Sequence, residues 1–516
     1  MQRDLTAWEE AEKYILAYPC ARVEQFSPKS KAILEIKSER DLTILEKMYA
    51  NGVLLGDDSP QGWGIQYATE FHMTNDSKLF PPRPQWEAKG YRPDEYGHWL
   101  KGNWQPYEAV RSILQRPEGL ILSADGSSAI YIDEVEDVAL PLYEGRMINH
   151  FDFSLKGWVS GKGRTAVWRD IPWEKKVIEP QFLMGKETLY SSPNGYLHPK
   201  IAFMSISASI NTRTTISTYL NFVPGGHSLS FYRVLSQSVF HSQALASILG
   251  SFTFDYPMRL RLGGLNMSDF IMSETVLPKR NKFVEFKKIL VTFISNLAIP
   301  HQFFANDWIK LRTIILSERN WYQLWAITPY ERLRLRCILD AAVAELYGLE
   351  IDDFAWILRD CDYPTAQVCD KKFARTLDPK GFWRVDKEKD PELRHTVLSL
   401  VAFHELKRFG LEAFLNLNDG EGWMLPDTLR LADYGIGHDR RAKEPQPVAA
   451  RLGDRFLPWQ LEGTVEESWQ ECDRHAQNLK RLLGDKPIAT ETEPVSAIGE
   501  SGTQLDFFNL LELQDS

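Results

Sequence analysis

The rhythm of apolar and polar positions changes several times along this chain, and each rhythm predicts an element. Near the middle, Ile201, Phe203, Ser205 and Ser207 open a two-residue alternation, and residues 212–219 are dense in Thr and Ile, which predicts short strands. Helical spacing takes over across 244–249. Residues 252–261 then set aromatic side chains beside Arg259 and Arg261, ahead of a Gly263-Gly264 turn. Helices follow at 282–298, with Phe283, Phe286, Ile289 and Leu290 on one apolar face, and at 308–325. Another spans 329–347, where Leu333, Leu335, Leu339, Val343 and Leu346 repeat and Gly348 provides the stop. Asp352-Asp353 begins a further helix, and 464–483 forms the last. Toward the N-terminus the pattern gives an amphipathic helix over 1–18 through Leu5, Trp8, Ala11, Tyr14 and Ile15, a strand-like stretch over 22–36, and a helix over 39–49 with Leu42, Leu45 and Met48 inward. Residues 81–105, rich in Pro and Gly around Trp86, Trp99 and Trp104, read as a long ordered loop. Residues 485–503 are acidic and poor in large apolar side chains, the composition of a disordered linker. The expected class is α+β, a central mixed region with flanking helical elements and a disordered C-terminal tail.

Composition narrows the setting. A chain of 516 residues has room for two to four domains, and no apolar run approaches the length that crosses a bilayer. The opening MQRDLTAWEEAEKYIL is too acidic for a secretory signal, so a cytoplasmic protein is expected. Cys20, Cys337, Cys361, Cys369 and Cys472 are scattered without a Cys-x-x-Cys pair or His partners at metal spacing, which predicts reduced thiols and no metal site. A net charge of −10 argues against a polyanionic partner. Its distribution argues the other way: between Arg146 and Gly263 there are 13 Lys/Arg against 6 Asp/Glu, a surplus of seven. That segment is the candidate DNA face.

Four stretches fall in a suggestive order: EFHMTNDSKLF at 70–80, PLYEGRMINHF at 141–151, the run from IAFMSISASINTRTTIS to GGLNMSDFIMSETVLP at 201–278, and DAAVAELYGLEIDDFAWIL at 340–358. Together they resemble the target-recognition region of the large adenine-N6 DNA methyltransferases of type IIG and related phage-defence restriction-modification systems, over about residues 20–410. Such enzymes carry, upstream, a Rossmann-like domain with a Gly-rich loop for S-adenosylmethionine and an Asn-Pro-Pro-Tyr/Phe loop for the flipped adenine. No Asn-Pro-Pro occurs here. The chain is expected to begin just past the point where the catalytic domain would end. The resemblance implies a linker and N-terminal α+β region at 1–140, a DNA target-recognition domain at 141–280 and a helical spacer and C-terminal domain at 281–430; composition and pattern add an extended segment and helix at 431–484 and a disordered tail at 485–516 with a short docking motif. A His-Arg pair that commonly follows the Phe-Asp step in that family is replaced here by Phe153-Ser154.

Candidate site residues follow from chemistry. Gly161-Lys162-Gly163-Arg164 is a basic turn in which Lys162 and Arg164 suit phosphate contact, without the spacing of a nucleotide-binding P-loop. Asn211 and Arg213 suit adenine and guanine edges in the major groove, and Arg259 and Arg261 suit bases or phosphates. Sequence leaves open a helical pair between Arg259 and Asp255. Glu35-Ile36-Lys37 matches half of a metal-dependent nuclease motif but lacks an acidic partner. His72, Asn75 and Asp76 read as a turn or helix cap. His395 and His404-Glu405 do not have zincin spacing, which leaves them structural. Gln504, Leu505, Phe507 and Phe508 resemble the peptide with which bacterial proteins dock on the replication sliding clamp. The expected function is the sequence-specific component of a split adenine-N6 DNA methyltransferase, with no catalytic residue or cofactor of its own and a separate catalytic subunit that binds S-adenosylmethionine. The alternatives are a non-DNA scaffold of a defence complex and an unrecognised DNA-cleaving enzyme.

Overall fold

The computed structural model describes residues 16–111, 118–193, 199–236, 238–284, 287–315 and 318–484. The expected 485–503 linker and Phe286 lie outside this set, as does the helix over 1–18 apart from residues 16–18, which are not helical. In chain order the main elements are α1 (Glu39–Ala50), β1 (Ile65–Ala68), β2 (Trp99–Gly102), β3 (Val135–Leu142), β4 (Lys156–Ser160), β5 (Val167–Asp170), β6 (Phe182–Gly185), β7 (Lys200–Met204), β8 (Ser217–Leu220), β9 (Leu229–Val234), α2 (Val239–Leu249), α3 (Phe252–Arg261), α4 (Lys287–Ala298), α5 (Ala305–Ile315), α6 (Pro329–Leu346), α7 (Ile351–Ile357), α8 (His395–Phe409) and α9 (Val465–Leu483). The class is mixed α+β. Among the described residues, no helix is long and apolar enough to cross a membrane.

Local chemistry explains where the helices begin and stop. The Ser38 side chain accepts from the Asp41 N–H and opens α1, whose Leu42, Leu45 and Met48 are buried as the pattern requires. Thr328 caps α6 by accepting from Glu331, Pro329 occupies its first turn, and Gly348 follows its end at φ +73°. Thr464 and Glu467 close a capping box at the start of α9.

Two antiparallel four-stranded sheets form the centre, one in the order β8-β7-β9-β1 and one running β6-β3-β2 to an edge at Arg92–Pro93. Pro93 is tolerated there because an edge strand has no inner ladder to supply. Residues 81–105 are therefore not the expected loop. They hold a short helix, Arg83–Glu87, and β2, whose Trp99 and Leu100 are buried, and their prolines and glycines mark the joints between short elements. Residues 22–36 are not strand-like either. Cys20–Phe26 is helical, and the Lys29 and Ser30 N–H groups that follow donate to the Glu274 carboxylate instead of to a sheet. The 308–325 helix ends at Ile315 and is succeeded by the short turn Trp321–Leu324.

Helix α2 lies across β7 and β8 and carries α4 on its other side; α6 pairs with α8, and α5 with α9. One apolar core runs through all of them from Phe26 to Leu483, with Trp308, Trp321 and Trp469 fully enclosed.

Polar cross-links inside this core are as specific as the packing. Asp255 on α3 accepts from the Thr214 and Thr215 N–H groups at 3.0 and 2.7 Å and faces the Arg259 and Arg213 guanidiniums at 3.3 and 3.5 Å. Arg259 is 1% exposed and donates onward to the Asn211, Thr212, Lys380 and Gly381 carbonyls, with Phe382 stacked 3.9 Å away. Burial pushes its pKa down to about 10, which leaves it charged at neutral pH. Removing the carboxylate strands two buried cations. Asp255→Ala is therefore expected to lower the free energy of unfolding in urea by about 3–5 kcal/mol, and a loss below about 1 kcal/mol would contradict this arrangement.

Candidate nucleic-acid interface

Strands β4 and β5 form a two-stranded antiparallel ribbon in which Trp158 opposes Trp168 and Lys156 opposes Asp170. Its tip is a defined turn. Thr165 donates through N and Oγ1 to the Lys162 carbonyl, and Trp158 Nε1 donates to the Gly161 carbonyl at 3.1 Å. Gly161 sits at φ +79°, and a Cβ there would come within 2.4 Å of the Thr165 carbonyl, so only glycine turns this corner. Lys162 and Arg164 stand exposed on the tip, and among the described residues neither side chain has an ion-pair partner. Val159 and Val167, 45% and 52% exposed, flank them. The base of the ribbon is fixed. Lys176 is buried with its ammonium on both Asp152 oxygens at 2.7 and 2.8 Å, and Arg83 stacks on Trp158 at 4.5 Å.

The other sequence-predicted cations are elsewhere. Arg213, 7% exposed, donates to the Gly250 carbonyl and lies on the Phe252 ring, so it is a core cross-link and not a base reader. Arg259 is the hub described above, and the sequence-level pair with Asp255 is the one observed. Arg261 bonds Ser27, Phe26, Tyr49 and Glu274. These three are unavailable to DNA because each guanidinium is buried, Arg259 and Arg261 among carbonyl and carboxylate acceptors and Arg213 between Gly250, Asp255 and the Phe252 ring. The basic surplus shrinks further, since Lys176 and Lys200 are also internal. Asn211 remains exposed, with its backbone carbonyl held by Arg259.

A cleft of about 670 Å³ opens on the first sheet where β7, β9 and β1 lie side by side, lined by Tyr67, Thr69, Ser205, His227, Ser230 and Asn266 among others. Tyr67 and Ser205 each share a hydrogen bond with Ser230, at 3.0 and 2.9 Å. His72 and His227 stack at 4.6 Å and 17°. Beneath them Lys200 is fully buried on Glu70, at 2.6 and 2.8 Å, with Arg233 at 3.1 Å from the same carboxylate. Residues 72–76 form the turn expected of them: Asp76 accepts from the His72 N–H, and His72 Nδ1 from Thr74 and Asn75. The ribbon escaped sequence reading although only six residues, two of them glycines, lie between Trp-Val-Ser and Val-Trp-Arg, a usable turn signal. The cleft left no such trace, because four separate segments build it.

The PLYEGRM segment links the base of the ribbon to residues 225–228, which lead into β9. Tyr143 bridges Gly225, Gly145 donates to Ser228 Oγ, and Leu155 at the ribbon base donates to the Met147 carbonyl. Arg146 is exposed on this segment.

The remaining motifs resolve as structural. Glu35 and Lys37 pair with Lys380 and Asp378, and His395 is buried against Asp340 at 2.7 Å. Among the described residues no cluster of His, Cys, Asp and Glu is arranged to hold a metal. The docking residues Gln504, Leu505, Phe507 and Phe508 lie outside the described residues. Comparison with protein-family models and with curated proteins yields no match.

Glu144, on the PLYEGRM segment, is a half-buried titrating group. Burial raises its pKa to about 7 against the pull of Arg146, and its Oε2 is buried without a partner among the described residues. A carboxyl raised above its ordinary value near 4.5 favours the folded state below that pH, and the contribution disappears as pH rises through 7. Glu144→Gln should therefore gain stability over the wild type between those values, reaching roughly 2–3 kcal/mol at pH 8. Urea unfolding at pH 4.5 and 8 checks this, and an equal offset at both would contradict it.

Proposed function

We propose that this chain is the sequence-specific DNA-binding component of a split adenine-N6 DNA methyltransferase in a restriction-modification or phage-defence system. The observation that carries the reading is the anchored β4–β5 ribbon with Lys162 and Arg164 unpaired at its tip. The major groove of B-DNA admits a two-stranded ribbon, and exposed cations at the tip gain by releasing counterions from phosphates. Asn211 adds an exposed amide of the kind that reads adenine. The family resemblance supplies the target: an adenine whose chemistry requires rotation out of the stack, performed by a separate catalytic subunit that binds S-adenosylmethionine. Docking of the tail through Gln504, Leu505, Phe507 and Phe508 on the replication clamp belongs to the same proposal.

The test is duplex binding by fluorescence anisotropy across a salt series. Lys162→Ala/Arg164→Ala is expected to weaken binding to all sequences and to reduce the slope of log affinity against log salt by about 1.8, which is two phosphate contacts. An unchanged slope, or no duplex binding by the wild type, would remove this reading in favour of the scaffold. Arg213, Arg259 and Arg261 are unsuitable probes, because their loss disturbs the core.

A further inference from the structure

We infer that the cleft lined by Tyr67, Ser205, His227, Ser230 and Asn266 is a slot for a single unstacked nucleobase. This rests on the DNA-binding reading and adds a second site to it, separate from the pocket where the catalytic partner would hold its target adenine. A volume of about 670 Å³ is in the range of small-ligand sites. The side chains suit a flat, polar-edged heterocycle. His72 and His227 form a stacked imidazole platform, and both rings are exposed. His227 Nδ1 accepts from the Met73 N–H at 3.3 Å, just as His72 Nδ1 accepts from Thr74 and Asn75, so in both rings the proton resides on Nε2. Burial and the neighbouring His72 hold the pKa of His227 below its usual value, which keeps that ring neutral at pH 7 and suited to stacking on a base.

Hydrogen-bonding capacity lies along the cleft. Tyr67, Ser205 and Ser230 form a connected row of hydroxyls, and each can donate or accept. Asn266 is exposed and offers one carbonyl and one amide, the pairing that matches an adenine edge. Ile206, 62% exposed, provides an apolar wall, and its backbone bridges Asn266. The charges near the cleft are arranged for a nucleotide and not for a cation. Glu70 is neutralised by Lys200 and Arg233, and Asp76 accepts from the His72 N–H. Exposed Lys78 lies two residues from Asp76 on the cleft wall, a cation within sequence reach for a flanking phosphate.

A hexanucleotide carrying one 2-aminopurine tests the slot without requiring duplex binding. Titrating it with the full chain should give saturable fluorescence quenching, relieved by adenosine monophosphate. His227→Ala should weaken this at least about fivefold, as loss of one stacked base contact would, while His227→Phe restores it. Asn266→Ala should narrow the preference for adenine over cytosine. Lys162→Ala/Arg164→Ala should leave the quenching of the hexanucleotide in place while weakening duplex binding, so that the ribbon and the slot fail separately. Absence of saturable quenching, or quenching indifferent to His227 and Asn266, would overturn the slot and leave the cleft to a side chain of the catalytic partner.

Discussion

A buried carboxylate, Asp255, is the constraint on which the central region depends. Its two oxygens take the Thr214 and Thr215 N–H groups, which in a strand would have gone to a sheet neighbour. Strand β8 therefore starts only at Ser217, and residues 207–215 stay a loop held against α3. Arg259, paired with that carboxylate, carries the constraint to residues 380–381 and so ties the central sheets to the C-terminal helices. Neither partner can leave without stranding the other in a medium that solvates charge poorly.

The same device recurs beneath each exposed feature. Lys176 on Asp152 underlies the ribbon, and Lys200 on Glu70 underlies the cleft. Arg213 and Arg259 on Asp255 underlie the loop that presents Asn211. Buried ion pairs of this sort add little net stability compared with apolar side chains of the same volume. What they do here is fix one geometry, since each ammonium or guanidinium also binds backbone carbonyls from distant segments. A surface that must meet another macromolecule in register benefits from rigid mounting.

Much of the helical architecture was legible in the sequence. The spans at 39–49, 329–347 and 464–483 follow from apolar spacing, and the stop at Gly348 is a local signal that the structure uses. Short strands were harder to read, because residues 81–105 alternate buried tryptophans with prolines whose role depends on an edge position that no local pattern reveals. Charge was misleading in a physically instructive way. Counting Lys and Arg over 146–263 identified a basic segment, but Lys176, Lys200, Arg213 and Arg259 are inside it and Arg261 is enclosed with Glu274. Composition cannot tell a cation that faces water from one that cross-links a core. Only Lys162, Arg164 and Asn211 of the proposed DNA contacts remain on the surface, and the cleft, assembled from segments up to about 200 residues apart, was beyond any local reading.

Ribbon and cleft should both be covered when DNA binds. Amide hydrogen exchange of the full chain, with and without a duplex library at low salt, tests it most directly. Slowed exchange is expected at residues 156–170 and across 205–212 and 225–230, with α6 and α8 unchanged. Protection confined to the C-terminal helices, or none despite saturating duplex, would contradict it.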